Sequence, residues 1–105
     1  MNNLYIAGPM QGYENYNTAA FDEVARAVES SFDLVFNPAQ SERSKEVVAK
    51  GRMTNEDYRA CMKEDLSWIA DNATHIYMLK GWENSKGARA EHALAVCLGL
   101  RIMYQ

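Results

Sequence analysis

The sequence predicts an α/β fold: a small doubly wound parallel sheet of about four strands, in the order 2-1-3-4, with helices on both faces. Three observations predict it. Short apolar runs rich in strand-forming residues alternate with longer stretches of helical periodicity, and such alternation implies a parallel sheet with covering helices. The chain has 105 residues, enough for one domain around one core, and it shows no internal repeat, low-complexity tract or linker. The segments richest in Gly, Pro and polar residues follow the strands, at the sheet end where doubly wound folds bind ligands.

The elements follow in order. NLYIAG (residues 3–8) is an apolar run of strand formers ended by Gly8-Pro9. A loop, PMQGYENYN, leads to a helix from about Asn17, with Phe21, Val24, Ala25 and Val28 on one face. DLVFNP (33–38) is a second short strand stopped by Asn37-Pro38. Residues 39–53 are polar and weakly patterned, and read as a loop with room for a helical turn. TNED (54–57) is a helix start, with Thr54 as cap and an acid three residues on. That helix carries Tyr58, Met62 and Ile69 on one stripe and runs to about Asp71. THIYML (74–79) is the third strand, a helix spans 85–98, Gly99 ends it, and LRIMY is the last strand. With each crossover right-handed, the result is flavodoxin- or Rossmann-like, and the strand order switches direction between strands 1 and 3. The loops arriving there are AGPMQGY, FNPAQ and KGWENSKGARAE.

Composition narrows the function. Hydrophobic residues make up 48% and charged residues 24%, a globular balance. The net charge of −3 gives no general attraction to nucleic acid polymers or anionic membranes. No apolar run approaches the roughly 20 residues of a membrane helix, and no basic-then-apolar leader opens the chain. Cys61 and Cys97 both fall in helices and read as buried reduced thiols of a cytoplasmic protein. With His75 and His92 they lack metal-ligand spacing, so no metal is expected. No Ser-His-Asp order is present, and GARAE lacks the Lys-Ser/Thr of a P-loop.

Two carboxylates stand out. At about 100° per residue, Glu91 shares a helix face with Leu94, Ala95 and Leu98, and an acid on a core-facing stripe is costly to bury. Asp65 follows Met62 by three residues and precedes Ile69 by four, within the apolar stripe of the preceding helix. Each has a structural explanation: Asp65 as partner of a backbone donor or lysine, Glu91 as a first-turn acid that favours a helix N-terminus. Both nevertheless flank the expected ligand end of the sheet. Trp82, just before the helix entry, is placed either to stack on a base or to anchor its loop. Tyr13 and Tyr16 are candidates for a lid or for plain surface aromatics.

LYIAGPM, FNPA, EDLSWI and GWENSKGARAEHALA, in this order and spacing, resemble the nucleoside 2-deoxyribosyltransferase-like superfamily. Within it the chain is similar to the small phage and bacterial proteins grouped as DUF4406. The resemblance implies N-glycosidic bond cleavage or deoxyribosyl transfer without a cofactor. It makes Glu91 the nucleophile, Asp65 the acid that orients or protonates the nucleoside, and Tyr5 the group that positions the nucleophile. Gly8, Pro9 and Met10 would line the base or sugar pocket, and Asn37 of FNPA arrives at the same end. Transferases commonly carry an aspartate six residues before the nucleophile; Ser85 stands there instead, as in the deoxynucleoside 5′-monophosphate N-hydrolases, whose serine contacts the 5′-phosphate. Ser85 and the N–H groups of Lys86 and Gly87 at a helix start make a reasonable anion cradle. Lys86 and Arg89 add positive charge, although Arg89 projects almost opposite Glu91 and equally suits a solvent or subunit contact.

The expected ligand is therefore a small-molecule nucleotide or nucleoside. The alternatives are a non-catalytic nucleotide-binding or sensing module and an NAD-type glycohydrolase. Relatives carry residues beyond the last strand into a neighbouring subunit, whereas this sequence ends at Gln105, which keeps the binding role open. Ala90, Ala93, Val96 and Cys97 make the other side of the last helix apolar too, predicting a homodimer or higher even oligomer through it, with the 55–71 helix as a second candidate surface.

Overall fold

In the computed structural model, which describes all 105 residues, β1 (Asn3–Ala7) leads through α1 (Thr18–Val28) to β2 (Leu34–Phe36). Then come α2 (Glu42–Lys50), α3 (Asn55–Asn72), β3 (His75–Met78), α4 (Lys86–Leu98) and β4 (Arg101–Tyr104). The strands form one sheet in the order β2-β1-β3-β4, and every pair is parallel, as the alternation predicts.

The sheet is buried on both faces. Every residue of β1 is buried, and its side chains divide by the period of two. Tyr5 and Ala7 join Ile76 and Met78 of β3 beneath Ile69 of α3 and Ala88 and Ala95 of α4. Leu4 and Ile6 face the other way, against Phe21 and Val24 of α1. Thus α3 and α4 cover one face and α1 the other. Tyr5 pairs in register with Phe36 on one side and Ile76 on the other, which puts it at the centre of the sheet. Gly8 lets the chain leave β1 against β3: a Cβ there would lie 2.7 Å from Leu79 Cβ.

The helix ends follow their signals. Thr54 accepts from the Asp57 N–H at 3.1 Å while Asp57 Oδ2 accepts from the Thr54 N–H at 2.9 Å, a complete capping box. Ser85 Oγ accepts from the Ala88 N–H at 3.2 Å to open α4, and Gly99 closes it with φ +70°.

Three expectations need correction. Residues 42–50 are a full nine-residue helix within the segment read as a loop. Its only fully buried apolar side chain is Val47, so it offers no apolar stripe; its signals are the Ser41 cap on the Ser44 N–H and Gly51 beyond its end. Cys97 is exposed on the outer side of α4 and Cys61 is half-buried; neither is in a disulfide. Leu98, in the last turn before Gly99, is exposed, so the buried stripe of α4 ends at Ala95. No helix is long and apolar enough to cross a membrane.

Candidate functional site

At the carboxyl ends of β1 and β2, between the entry to α4 and the flank of α3, lies a cavity of about 500 Å³. That volume is typical of small-molecule sites. β1 with the loop that follows, one stripe of α3 with the link before it, and the first turns of α4 build most of it, and Phe21, Pro38 and Ser44 complete the wall.

The α4 contribution starts with Ser85 at its cap. The first N–H groups of a helix have no partners within it, and Lys86 and Gly87 stand at those positions with Ser85, all lining the cavity. Gly87 eases the approach of α4 to α3, since a Cβ there would lie 3.1 Å from Met62 Sδ and 3.3 Å from the Tyr58 hydroxyl and would press on both. One turn further, Glu91 points into the floor, only 5% exposed.

Beneath it stands Tyr5, whose hydroxyl donates to Glu91 Oε2 at 2.7 Å. The Tyr5 ring is held between neighbours, stacked on Phe36 at 5.3 Å and tilted against Trp68 at 6.2 Å. Asp65 reaches the same cavity from α3, one turn after Cys61 and Met62.

Burial dominates the electrostatics. It pushes Glu91 well above the usual carboxylate range, the neighbouring Asp65 adds to this, and the Tyr5 hydrogen bond opposes it. Burial also raises Asp65 to about 7, against the pull of the Tyr5 hydroxyl and with a smaller push from Glu64. Ionising both carboxyls would put two like charges in one poorly solvated space, and the Asp65 charge therefore raises Glu91 further. Tyr5 itself is driven far above the usual phenol range by burial and then by the charges of Glu91 and Asp65, so it remains a donor. The Cys61 thiol is pushed up to about 11 by burial and by Asp65, which makes it a poor nucleophile. No group of three or more His, Cys, Asp or Glu side chains is placed to hold a metal ion.

The pair can supply one buried anion with a fixed donor and one proton beside it. A family model described as a domain of unknown function (DUF4406) matches residues 2–104. The chain belongs to the DUF4406 family. No curated protein and no solved structure matches it.

In this DUF4406 chain the cavity brings together Tyr5, Gly8, Pro9, Met10, Asp65, Ser85, Gly87 and Glu91. Three residues expected to bind substrate lie outside its lining. Asn37 works in its own turn, accepting from the Ala39 N–H at 3.0 Å and donating to Asp22 at 2.9 Å. Trp82 turns away towards β4 and stacks on His92, with ring centroids 4.4 Å apart, so it anchors its loop. Arg89 is exposed on the far side of α4, as its helical angle from Glu91 requires. Of the two lid candidates, Tyr13 lines the cavity and Tyr16 does not.

Lining residues given no part in the site by the sequence include Gln11, Ser44, Tyr58, Met62 and the link before α3 at Met53, Thr54 and Asn55. Tyr58 and Met62 were legible only as an apolar stripe with Asp65. The lip after β1 is held by a turn in which Asn15, Tyr16 and Asn17 all adopt left-handed conformations, at φ 48°, 53° and 62°. From it the Asn17 side-chain amide donates to the Pro9 carbonyl at 2.9 Å.

Proposed function

We propose that this cavity cleaves the N-glycosidic bond of a nucleoside 5′-monophosphate, preferably a 2′-deoxynucleotide, with Glu91 as nucleophile. The observation that carries the reading is the buried Tyr5–Glu91 hydrogen bond with Asp65 in the same cavity. The resemblance of the motifs around these residues to nucleoside deoxyribosyltransferases points the same way.

The chemistry follows from the pair. In the reacting form a proton sits on Asp65 and the anion on Glu91, where the Tyr5 hydroxyl stabilises it. As the C1′–N bond breaks, its electron pair leaves with the base and the Asp65 proton passes to the base. Positive charge grows on C1′, and Glu91 beneath it closes a C1′–O ester. A water then attacks C1′, the ester opens to return the Glu91 carboxylate, and the water proton returns to Asp65. The products are the free base and the sugar 5-phosphate; a second base in place of water gives transfer. Ser85 supports the phosphate end, because its Oγ accepts from the Ala88 N–H and its own proton stays available to an anion.

The test is a chromatographic screen for free base with nucleosides, their 5′-monophosphates and NAD. Base release from a 5′-monophosphate by the wild type and none by Glu91→Gln is the expected result. Binding without release from any substrate would replace catalysis with a binding role. Release from NAD alone would move the activity to dinucleotides.

The outer side of α4 bears on assembly. Val96 is 57% exposed there beside Ala93 and Cys97. We propose that a second copy of the chain covers this face; light scattering should give at least a dimer at micromolar concentration, and Val96→Glu should yield the monomer.

A further inference from the structure

Tyr58 has no role in the mechanism above, yet it lines the cavity with Met62 and Asp65 at i, i+4 and i+7 of α3. Its hydroxyl lies 3.3 Å from where a Gly87 Cβ would stand. Gly87 is two residues after Ser85 and four before Glu91. The hydroxyl therefore stands over the span of α4 between the two groups assigned to the ends of the nucleotide. Six residues of helix make about 9 Å along the axis. With the 5′-phosphate at Ser85 and C1′ over Glu91, the sugar ring lies across that span.

The chemistry of the group agrees. Burial and then the Glu91 charge raise the Tyr58 phenol above its ordinary value, with no hydrogen bond contributing. It is a neutral donor beside Gly87 with no hydrogen-bond partner in the protein. The absent side chain at Gly87 keeps the space before it open, as a methyl there would press on both the hydroxyl and Met62 Sδ. The sugar's own polar groups are its ring hydroxyls, and in a 2′-deoxynucleotide only the 3′-hydroxyl remains.

We propose that Tyr58 is the sugar-reading residue of the site, its hydroxyl hydrogen-bonding the 3′-hydroxyl of the bound 2′-deoxynucleotide. The proposal rests on the nucleotide reading above and adds a specificity residue to it.

A double comparison tests it. Calorimetry is run with whichever of the four common 2′-deoxynucleoside 5′-monophosphates binds best and with its 2′,3′-dideoxy counterpart. Both are titrated into Glu91→Gln, so that ligand is not consumed, and into Glu91→Gln carrying Tyr58→Phe. The expected result is a loss of about fivefold to tenfold for the deoxy ligand on removing the Tyr58 hydroxyl, the value of one neutral hydrogen bond, and no change for the dideoxy ligand. Equal loss for both ligands reduces Tyr58 to ring packing and overturns the proposal, as does no loss for either. A chain that binds no monophosphate overturns the nucleotide reading along with it, whereas binding without the 3′-dependent difference overturns the Tyr58 assignment alone. Thermal unfolding of the double variant checks the fold, and the retained ring should leave it intact.

Discussion

The Tyr5 hydroxyl donates to Glu91 Oε2 at 2.7 Å, joining the first strand to the last helix across 86 positions. Both partners are buried, and Phe36 and Trp68 hold the Tyr5 ring so that its hydroxyl oxygen stays beside Glu91. Hydrogen bonds to charged groups contribute about 1.5–3 kcal/mol, which corresponds to roughly tenfold to hundredfold in rate if the bond serves the reacting anion. Tyr5→Phe should therefore retain the ring packing and lower kcat by that factor. Steady-state kinetics with the best substrate decide it; an unchanged kcat would reduce the bond to a structural role.

Glu91→Gln should separate function from stability. The amide neither attacks C1′ nor neutralises its charge, so base release should fall by about a thousandfold or more. Stability should move the other way. The folded protein holds the Glu91 proton to higher pH than the unfolded chain, because burial and Asp65 raise it. Between the two values the folded state binds more protons, so the Glu91 contribution to stability is greatest at low pH and falls as pH rises. The amide has no such dependence. Melting temperatures from pH 4 to 8 should fall more steeply for the wild type than for Glu91→Gln, with the variant at least as stable at pH 8.

Asp65 sets a second pH dependence. An acid raised to about 7 delivers its proton to the leaving base only below that value. The kcat/KM profile should be bell-shaped, rising as the carboxyl pair loses its first proton and falling as it loses its second, and Asp65→Asn should abolish the falling limb. Activity of the variant should drop by about a hundredfold or more on bases that leave poorly. A profile flat from pH 6 to 9 in the wild type would remove Asp65 from the proton path.

The sheet order and most helices are legible because β1 and β3 are apolar runs too short for helices, while α1 and α4 carry apolar residues at helical spacing. The α2 helix is not, since one buried valine cannot make a stripe; Ser41 and Gly51 were its only marks. Glu91 and Asp65 are legible because an acid on an apolar face has few structural reasons to be there. Tyr58 shares that face but is itself aromatic, so periodicity files it with the core. For Trp82 the sequence places the ring near α4 and says nothing of its direction, and packing on His92 turns it from the cavity. Asn37 likewise arrives at the right end of the sheet, yet its own turn and Asp22 occupy its side chain.

Ser85 also predicts a preference for a 5′-phosphate. Ser85 opens α4 by accepting from the Ala88 N–H at 3.2 Å, which leaves its hydroxyl proton for a ligand, and it lines the cavity beside Lys86 and Gly87. Charge-assisted hydrogen bonds of this kind contribute about 1.5–3 kcal/mol each, so two of them, discounted for the phosphate's lost hydration, give a monophosphate roughly a tenfold to hundredfold advantage over its nucleoside. Ser85→Asp is an unusually clean perturbation, because aspartate caps a helix as well as serine does and also favours its N-terminus. The helix should persist while a negative charge stands where the phosphate would sit. Calorimetry with paired nucleosides and monophosphates should show the preference in the wild type and its loss or reversal in Ser85→Asp, with unchanged thermal stability. Equal wild-type affinity for both ligands, or a variant that still favours the phosphate, would place the anion elsewhere.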